Sequence, residues 1–325
     1  MHPAFSVIFL TTLIGAGQGL FLALYTGQVY SVMHVLAAGV DPKGFYGLGS
    51  LLAFALLAAG LIASFFHLGH PERAWRSAAQ WRTSWLSREV IVLPAFMGMV
   101  VLYGAVHFLG WDPLLFTLGQ VPVHLSLLLG LLATLLAFLL FLCTGMIYAC
   151  LKFLQEWHSA LTVINYLLLG TASGFTLATA FSAWQAPDLM RFYGGWAVVL
   201  TLAALAGRSA ALWRNSRIRH KSSLQTAIGV RHTRIEQKAQ GAMGGSFNTR
   251  EFFHGKSADV VEIVRWGFLI LAFAVPLVLL LVGLAMARPE ALAAAFMVQY
   301  LGLIMERWHF FADARHPQNL YYQAV

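Results

Sequence analysis

Apolar residues fall along this chain in long blocks, not in the short alternations of a half-buried strand or a surface helix. Eight blocks of about 20 residues or more are nearly free of charge, a length that crosses the hydrocarbon core of a bilayer as helix. They run from Phe5 to Val32, Gly47 to Phe66, Val90 to Leu109, Val121 to Met146, Ala160 to Ala183, Phe192 to Trp213, Val264 to Ala287 and Ala291 to Phe311. Lipid offers a backbone amide no hydrogen-bond partner, so each block is expected to close its own hydrogen bonds as an α-helix. The pattern predicts an all-α fold: one polytopic membrane domain over residues 1–325, a bundle of eight transmembrane helices with both termini on one side. The first block is expected to be a retained helix and not a cleavable leader. Met1 to Ser6 carries no Lys or Arg, and the apolar run outlasts a signal core.

Composition agrees with the pattern. Of the residues, 59% are hydrophobic and 10% charged, where soluble domains carry about 25% charged residues. The charges that remain are unevenly placed. Reading the spans as above puts 18 of the 21 Lys and Arg residues on the side of the termini, including Arg208, Arg214 and Arg307, and only Lys43, Arg191 and Arg288 opposite. The positive-inside rule then predicts cytoplasmic termini, as in a multi-pass protein of a bacterial inner membrane. It also explains the net charge of +8 without nucleic-acid binding, which would need a basic folded domain.

One stretch, residues 214–262, is too polar and too long for an ordinary connection. It carries Gly241 to Gly245 and then SFNTREFFHG from Ser246 to Gly255. The close spacing of Phe247, Phe252, Phe253 and His254 predicts a segment that docks onto a partner. Cys143 and Cys150 are the only cysteines. Seven residues apart on a helix, they stand about 10 Å apart along its axis, too far for a disulfide. Two thiols are also too few for an iron–sulfur cluster, so electrons must pass to or from another subunit.

Ionisable side chains near a membrane are costly and mark function. Glu89, Glu156, Glu306 and Asp313, with His67, His158 and His309, fall at helix ends on the basic side, and no acid falls mid-span. The densest group is the second loop, HLGHPERAW from His67 and WRTSWLSREV from Trp81, bracketed by His67 and Glu89. A quinone headgroup needs donors for its two carbonyl oxygens and two protons on reduction, so an imidazole and a carboxylic acid beside an apolar channel suit it. Trp81, Trp85 and Phe66 can supply ring walls, although Trp is also the usual belt residue of an interface. Arg88 serves topology first. Gln18, in GAGQG, can reach a ligand, but its small neighbours favour an interhelical hydrogen bond. Two other classes fit parts of this pattern. His34, His107 and His124 at outer helix ends with His67, His158 and His309 at inner ones resemble the two ligand layers of a haem b cytochrome, though most sit at the edges of the spans. A secondary transporter would show internal repeats, and none is visible.

The run HLGHPERAWRSAAQWRTSWLSREV resembles the second loop of the DmsC-type family, membrane anchors of dimethyl sulfoxide reductase-like molybdoenzymes. KSSLQTAIGVRHTRI and GGSFNTREFFHG, from Lys221 and Gly244, are similar to that family as well. The resemblance implies a three-part complex: a molybdopterin catalytic subunit, a ferredoxin-like subunit with iron–sulfur clusters, and this anchor exchanging electrons with the quinone pool. It assigns quinol chemistry to a His in the HLG motif and a Glu entering the third helix, here His67 and Glu89. Taken with the charge count, which turns the second loop and the long loop to the cytoplasm, it implies the sulfite dehydrogenase branch, in which partners oxidise sulfite inside the cell and quinone is reduced. The alternative is quinol oxidation, as in the dimethyl sulfoxide reductases. With the acids on the inner face, quinone protons are expected to exchange with the cytoplasm through Glu89, relayed by Glu156 or Asp313.

Overall fold

The computed structural model describes residues 1–36, 41–119, 121–236, 238 and 251–322. Among them are eight long helices: α1 (Phe5–Val32), α2 (Lys43–Phe65), α3 (Trp85–Leu109), α4 (Leu125–Ala149), α5 (Ala160–Gln185), α6 (Met190–Asn215), α7 (Ala258–Met286) and α8 (Pro289–Ala312). The first seven are long and apolar enough to cross a membrane. The eighth, with 24 residues, spans about 36 Å at helical rise, and its C-terminal half carries the charged pair Glu306 and Arg307. The Met1 amine donates to Ala314 O at 3.0 Å, so the start of α1 and the end of α8 lie together.

The chain is a membrane protein, and its outer surface shows it. Leu51, Ile62, Val101, Leu131, Leu135, Phe138, Val278 and Leu281 are exposed, an apolar coat that only lipid would tolerate. The centre is α1, whose most apolar stretch is 78% buried against 28% to 61% in the other six candidate spans. It packs on α2, α4, α5 and α8. Close approach depends on glycine. A Cβ on Gly19 would stand 2.1 Å from Gly170 O, and one on Gly174 would stand 2.0 Å from Gly19 C. Backbone therefore meets backbone where α1 crosses α5, the small-residue mode of packing expected where lipid removes the hydrophobic drive.

Proline shapes α7. Pro276 has no N–H to offer the carbonyl four residues earlier and its ring crowds that carbonyl. The helix responds with a π-helical turn at Ile270–Ala274. Ala272 O, the carbonyl concerned, accepts from Gln299 Nε2 of α8 at 3.4 Å.

Several elements differ from the pattern-based reading. Val121–His124 is a strand, not the start of the fourth helix, and pairs antiparallel with Leu114–Leu118; among the described residues the fold is helical apart from this hairpin. The α3 helix begins at Trp85, five residues earlier than the apolar block, and α7 begins at Ala258. Arg208 and Arg307 are not loop charges. Both lie buried within helices, and the basic excess at the terminal end stands without them.

Of the long polar segment, Gly241 to Gly245 and Phe247 lie outside the described residues. The part that is described contains a one-turn helix, Leu224–Ile228, opened by a capping box at Ser223 and Thr226. It returns to the bundle through its aromatics. Phe252 stacks on His316 with ring centres 3.6 Å apart, and His254 meets Trp308 edge-on at 6.5 Å. These two rings dock on the end of their own chain.

Candidate functional site

Glu89 lies in the second turn of α3. Ser84 opens that helix, its hydroxyl accepting from Ser87 N–H at 3.4 Å, and this early start lifts Glu89 off the loop and onto the bundle wall. The side chain is half-buried. Its carboxyl accepts a hydrogen bond from the Thr144 hydroxyl of α4. Beyond it is a cavity of about 30 Å³, lined by Glu89, Thr144, Gln18, Tyr166, Ser173 and Arg307 among others. That is room for about two waters, well short of an aromatic headgroup. A ligand with an aromatic ring would have to meet Glu89 from outside this cavity.

Gln18 shares this cavity and donates to Ala137 O of α4 at 3.0 Å, the interhelical bond its small neighbours predicted. The other sequence-predicted residues are elsewhere. His67 follows the end of α2 on an exposed loop, and it does not line the Glu89 cavity. Partial burial of its ring holds its pKa below the ordinary 6.5, which keeps the imidazole neutral at pH 7, one nitrogen a donor and the other an acceptor. Phe66 and Trp81 are exposed. Arg88 folds the loop back on itself, donating to Trp81 O at 2.9 Å and Arg82 O at 2.8 Å while its guanidinium covers Trp85 at 4.2 Å. The structure thus unites Glu89 with Gln18, groups Arg88 with Trp81 and Trp85, and leaves His67 on the loop between α2 and α3.

The grouping that the sequence did not reveal lies on the far side of the cavity. Glu306, fully buried, holds two guanidinium groups: Arg208 Nε is 2.7 Å from Oε1 and Arg307 Nε is 2.6 Å from Oε2. Arg307 also lies over the Tyr166 ring at 4.2 Å, and Arg208 Nη2 is 3.4 Å from His309 Nδ1. Two cations and one anion leave this buried triad an excess positive charge, which is costly in a low dielectric unless another group compensates it. The sequence signal was faint. Arg208 sits a turn and a half before the end of a span, where hydropathy alone reads it as a flank.

Toward the terminal end the run of polar groups extends further. Asn215 Nδ2 donates to Asp313 Oδ2 at 3.3 Å, and His220 Nε2 is 3.6 Å from Glu156 Oε1. Arg214 ties α6 to the loop before α5 through Gln155 O and His158 O, both at 3.0 Å. Burial pushes the Glu156 carboxyl above the usual 4.5, a shift that favours its carrying a proton. Cys143 and Cys150 are both free. Among the described residues no group of three or more His, Cys, Asp or Glu is placed to hold a metal.

Comparison with known proteins places this architecture. Residues 1–310 match the family model described as DMSO reductase anchor subunit (DmsC). Over 326 residues the sequence is 60% identical to the C subunit of sulfite dehydrogenase from Allochromatium vinosum, a match that takes in the whole of both proteins. It is 30% identical over 126 residues, 39% of this protein and 42% of the other, to the C subunit of anaerobic dimethyl sulfoxide reductase from Haemophilus influenzae. The match along nearly all of its length shows that the chain belongs to the DmsC family of DMSO reductase anchor subunits.

Proposed function

We propose that this protein is the quinone-reactive membrane anchor of a sulfite-oxidising complex in a bacterial cytoplasmic membrane. Its termini, its second loop and residues 214–262 face the cytoplasm. There they hold a ferredoxin-like iron–sulfur subunit and, through it, a molybdopterin catalytic subunit. Sulfite and water give sulfate, two protons and two electrons in the partner. The electrons cross the clusters, and a quinone at the α2–α3 end of this chain takes up both electrons and two protons to become quinol.

Glu89 is the observation that carries the quinone site. It is a half-buried carboxyl on α3, hydrogen-bonded to Thr144 and bordering a water-sized cavity whose mainly apolar wall includes Gln18, Tyr166 and Arg307; in this reading lipid lies on its other side. Such a group can hand a proton to a ring oxygen that arrives through the lipid. His67, neutral and at the same end of the bundle, supplies the second hydrogen-bonding partner, and the exposed Trp81 and Phe66 supply apolar surface. Sulfite as electron source rests on the full-length likeness to a sulfite dehydrogenase subunit. With only two cysteines, the protein is unable to hold the clusters itself.

Affinity purification of the protein from its native membranes in mild detergent, with metal analysis and sulfite-dependent quinone reduction, tests the reading. Molybdenum and iron in the eluate together with quinone reduction by sulfite are the expected result. Metals without sulfite activity would replace the substrate and keep the anchor. A protein that emerges alone and colourless would overturn the proposal.

A further inference from the structure

Three separate cavities lie in series between Glu89 and the terminal end of the bundle, each sharing at least one wall residue with the next. The first, of about 30 Å³, runs from Glu89 to Tyr166 and Arg307. Arg307 also lines the second, of about 10 Å³, with Glu306, Arg208, Asn165, Glu156, Asn215 and Asp313. Glu156, Asn215 and Asp313 in turn line a third, of about 300 Å³, which His220, Arg265 and Arg315 border. The second is the size of a single water and the first of about two.

The walls call for water. Arg307 Nη1, Asn165 Oδ1 and Glu156 Oε2 are buried polar atoms with no hydrogen-bond partner among the described residues, and their residues are 5%, 4% and 8% exposed. Buried polar atoms are nearly always paired, with water where protein does not reach them. Here each unpartnered atom lies on a residue bordering a space that water fits.

We propose that these cavities form a water-filled proton inlet to Glu89 from the terminal face of the protein. The inlet opens at Glu156 and Asp313, between the loop before α5 and the end of α8. Its waist is the Arg208–Glu306–Arg307 triad. The route is separate from the lipid-side approach of the quinone, and His67 is not on it. The inference rests on the quinone reading of Glu89 and adds the proton supply that such a site needs: each proton donated by Glu89 to the ring is replaced along the water file, with no change in electron count. The excess positive charge of the triad has a consequence for direction. It repels an excess proton at the waist whether this moves as hydronium or hops between waters, so the charge passes as a proton hole: a water beside the Glu89 carboxylate gives up a proton to it, and the deficit is handed from water to water to the protonated Glu156, which refills it. Glu156 and Asp313 are therefore positioning residues for proton delivery, remote from the ring.

The test uses the intact complex in lipid nanodiscs, comparing the parent with Glu156→Gln/Asp313→Asn and with Asn165→Leu, which fills the second cavity. Quinone-dependent kcat should fall about tenfold or more in both, with KM for quinone within about twofold and turnover with a soluble artificial acceptor unchanged. Millimolar formate, a small proton carrier, should restore the double variant and not Asn165→Leu. Deuterium exchange at the Glu89 carboxyl, identified by infrared difference against Glu89→Gln, should slow in parallel. Parent-like kcat and exchange in both variants, or a loss that formate restores in neither, would overturn the inlet. Exchange is read without turnover, so a parent complex that fails to reduce quinone would count against the proposed function and leave exchange to decide the inlet.

Discussion

At the hairpin end of the bundle, Tyr103, Gln28, Ser126 and Asp112 touch one another directly. Tyr103 donates to Gln28 Oε1 at 3.0 Å, Gln28 Nε2 donates to Ser126 Oγ at 2.6 Å, and Ser126 gives both its hydroxyl, at 2.6 Å, and its N–H, at 2.8 Å, to the Asp112 carboxylate. At the terminal end, Glu89, Arg307, Glu306, Asn165 and Glu156 form a series interrupted by spaces of water size. The first arrangement joins α1, α3 and α4 and caps the start of α4, work that a scaffold needs. The second leaves charge uncompensated and polar atoms without protein partners, features that reduce stability and persist where they serve chemistry. Buried polar atoms without a partner among the described residues occur at both ends, Tyr46 Oη and His107 Nε2 being two near the hairpin; what separates the two series is that the first is joined throughout by hydrogen bonds and the second is broken by water-sized cavities.

Two substitutions sharpen that contrast. Glu306→Gln should have the larger effect, because it strips both guanidinium groups of their anion while leaving them buried. A loss of about 3–5 kcal/mol is expected, seen as a sharp fall in thermal stability of the detergent-solubilised protein, and Glu306→Leu combined with Arg208→Met should recover part of it. A Glu306→Gln variant as stable as the parent would mean that the triad is not held as a charged unit. Asp112→Ala at the opposite end should cost about 1–3 kcal/mol, the range for buried groups that lose an acceptor, and leave quinone turnover in the surviving complex unchanged. A collapse of turnover with normal stability would show that the hairpin end is more than scaffold.

Much of this organisation is legible in the amino-acid order itself, and the parts that are not have physical reasons. Lipid forces long apolar runs into helices, so the seven helices apolar enough to span, and the eighth long helix beside them, can be read from hydropathy. Gln18 could be assigned its interhelical bond because a polar side chain among glycines in a membrane helix has few other outlets. Glu89 and His67 stood out as ionisable groups at a membrane edge, but their relation did not. The start of α3 is set by the Ser84 cap, which a hydropathy window does not see, and one turn of helix carries Glu89 off the loop that holds His67. Arg208 and Glu306 are 98 positions apart, and only tertiary packing shows that they neutralise each other in part. Phe252 and His254 announced a docking segment, yet composition does not tell a partner's surface from the protein's own His316 and Trp308.

The central claim, that quinone reacts at Glu89, is tested most directly by turnover of the purified complex carrying Glu89→Gln. The substitution keeps the shape of the side chain and removes its exchangeable acid. The account predicts a fall of about a hundredfold or more in quinone-dependent kcat, with the metal content of the complex and its turnover with a soluble artificial acceptor unchanged. Quinone reduction at the parent rate in that variant would contradict it.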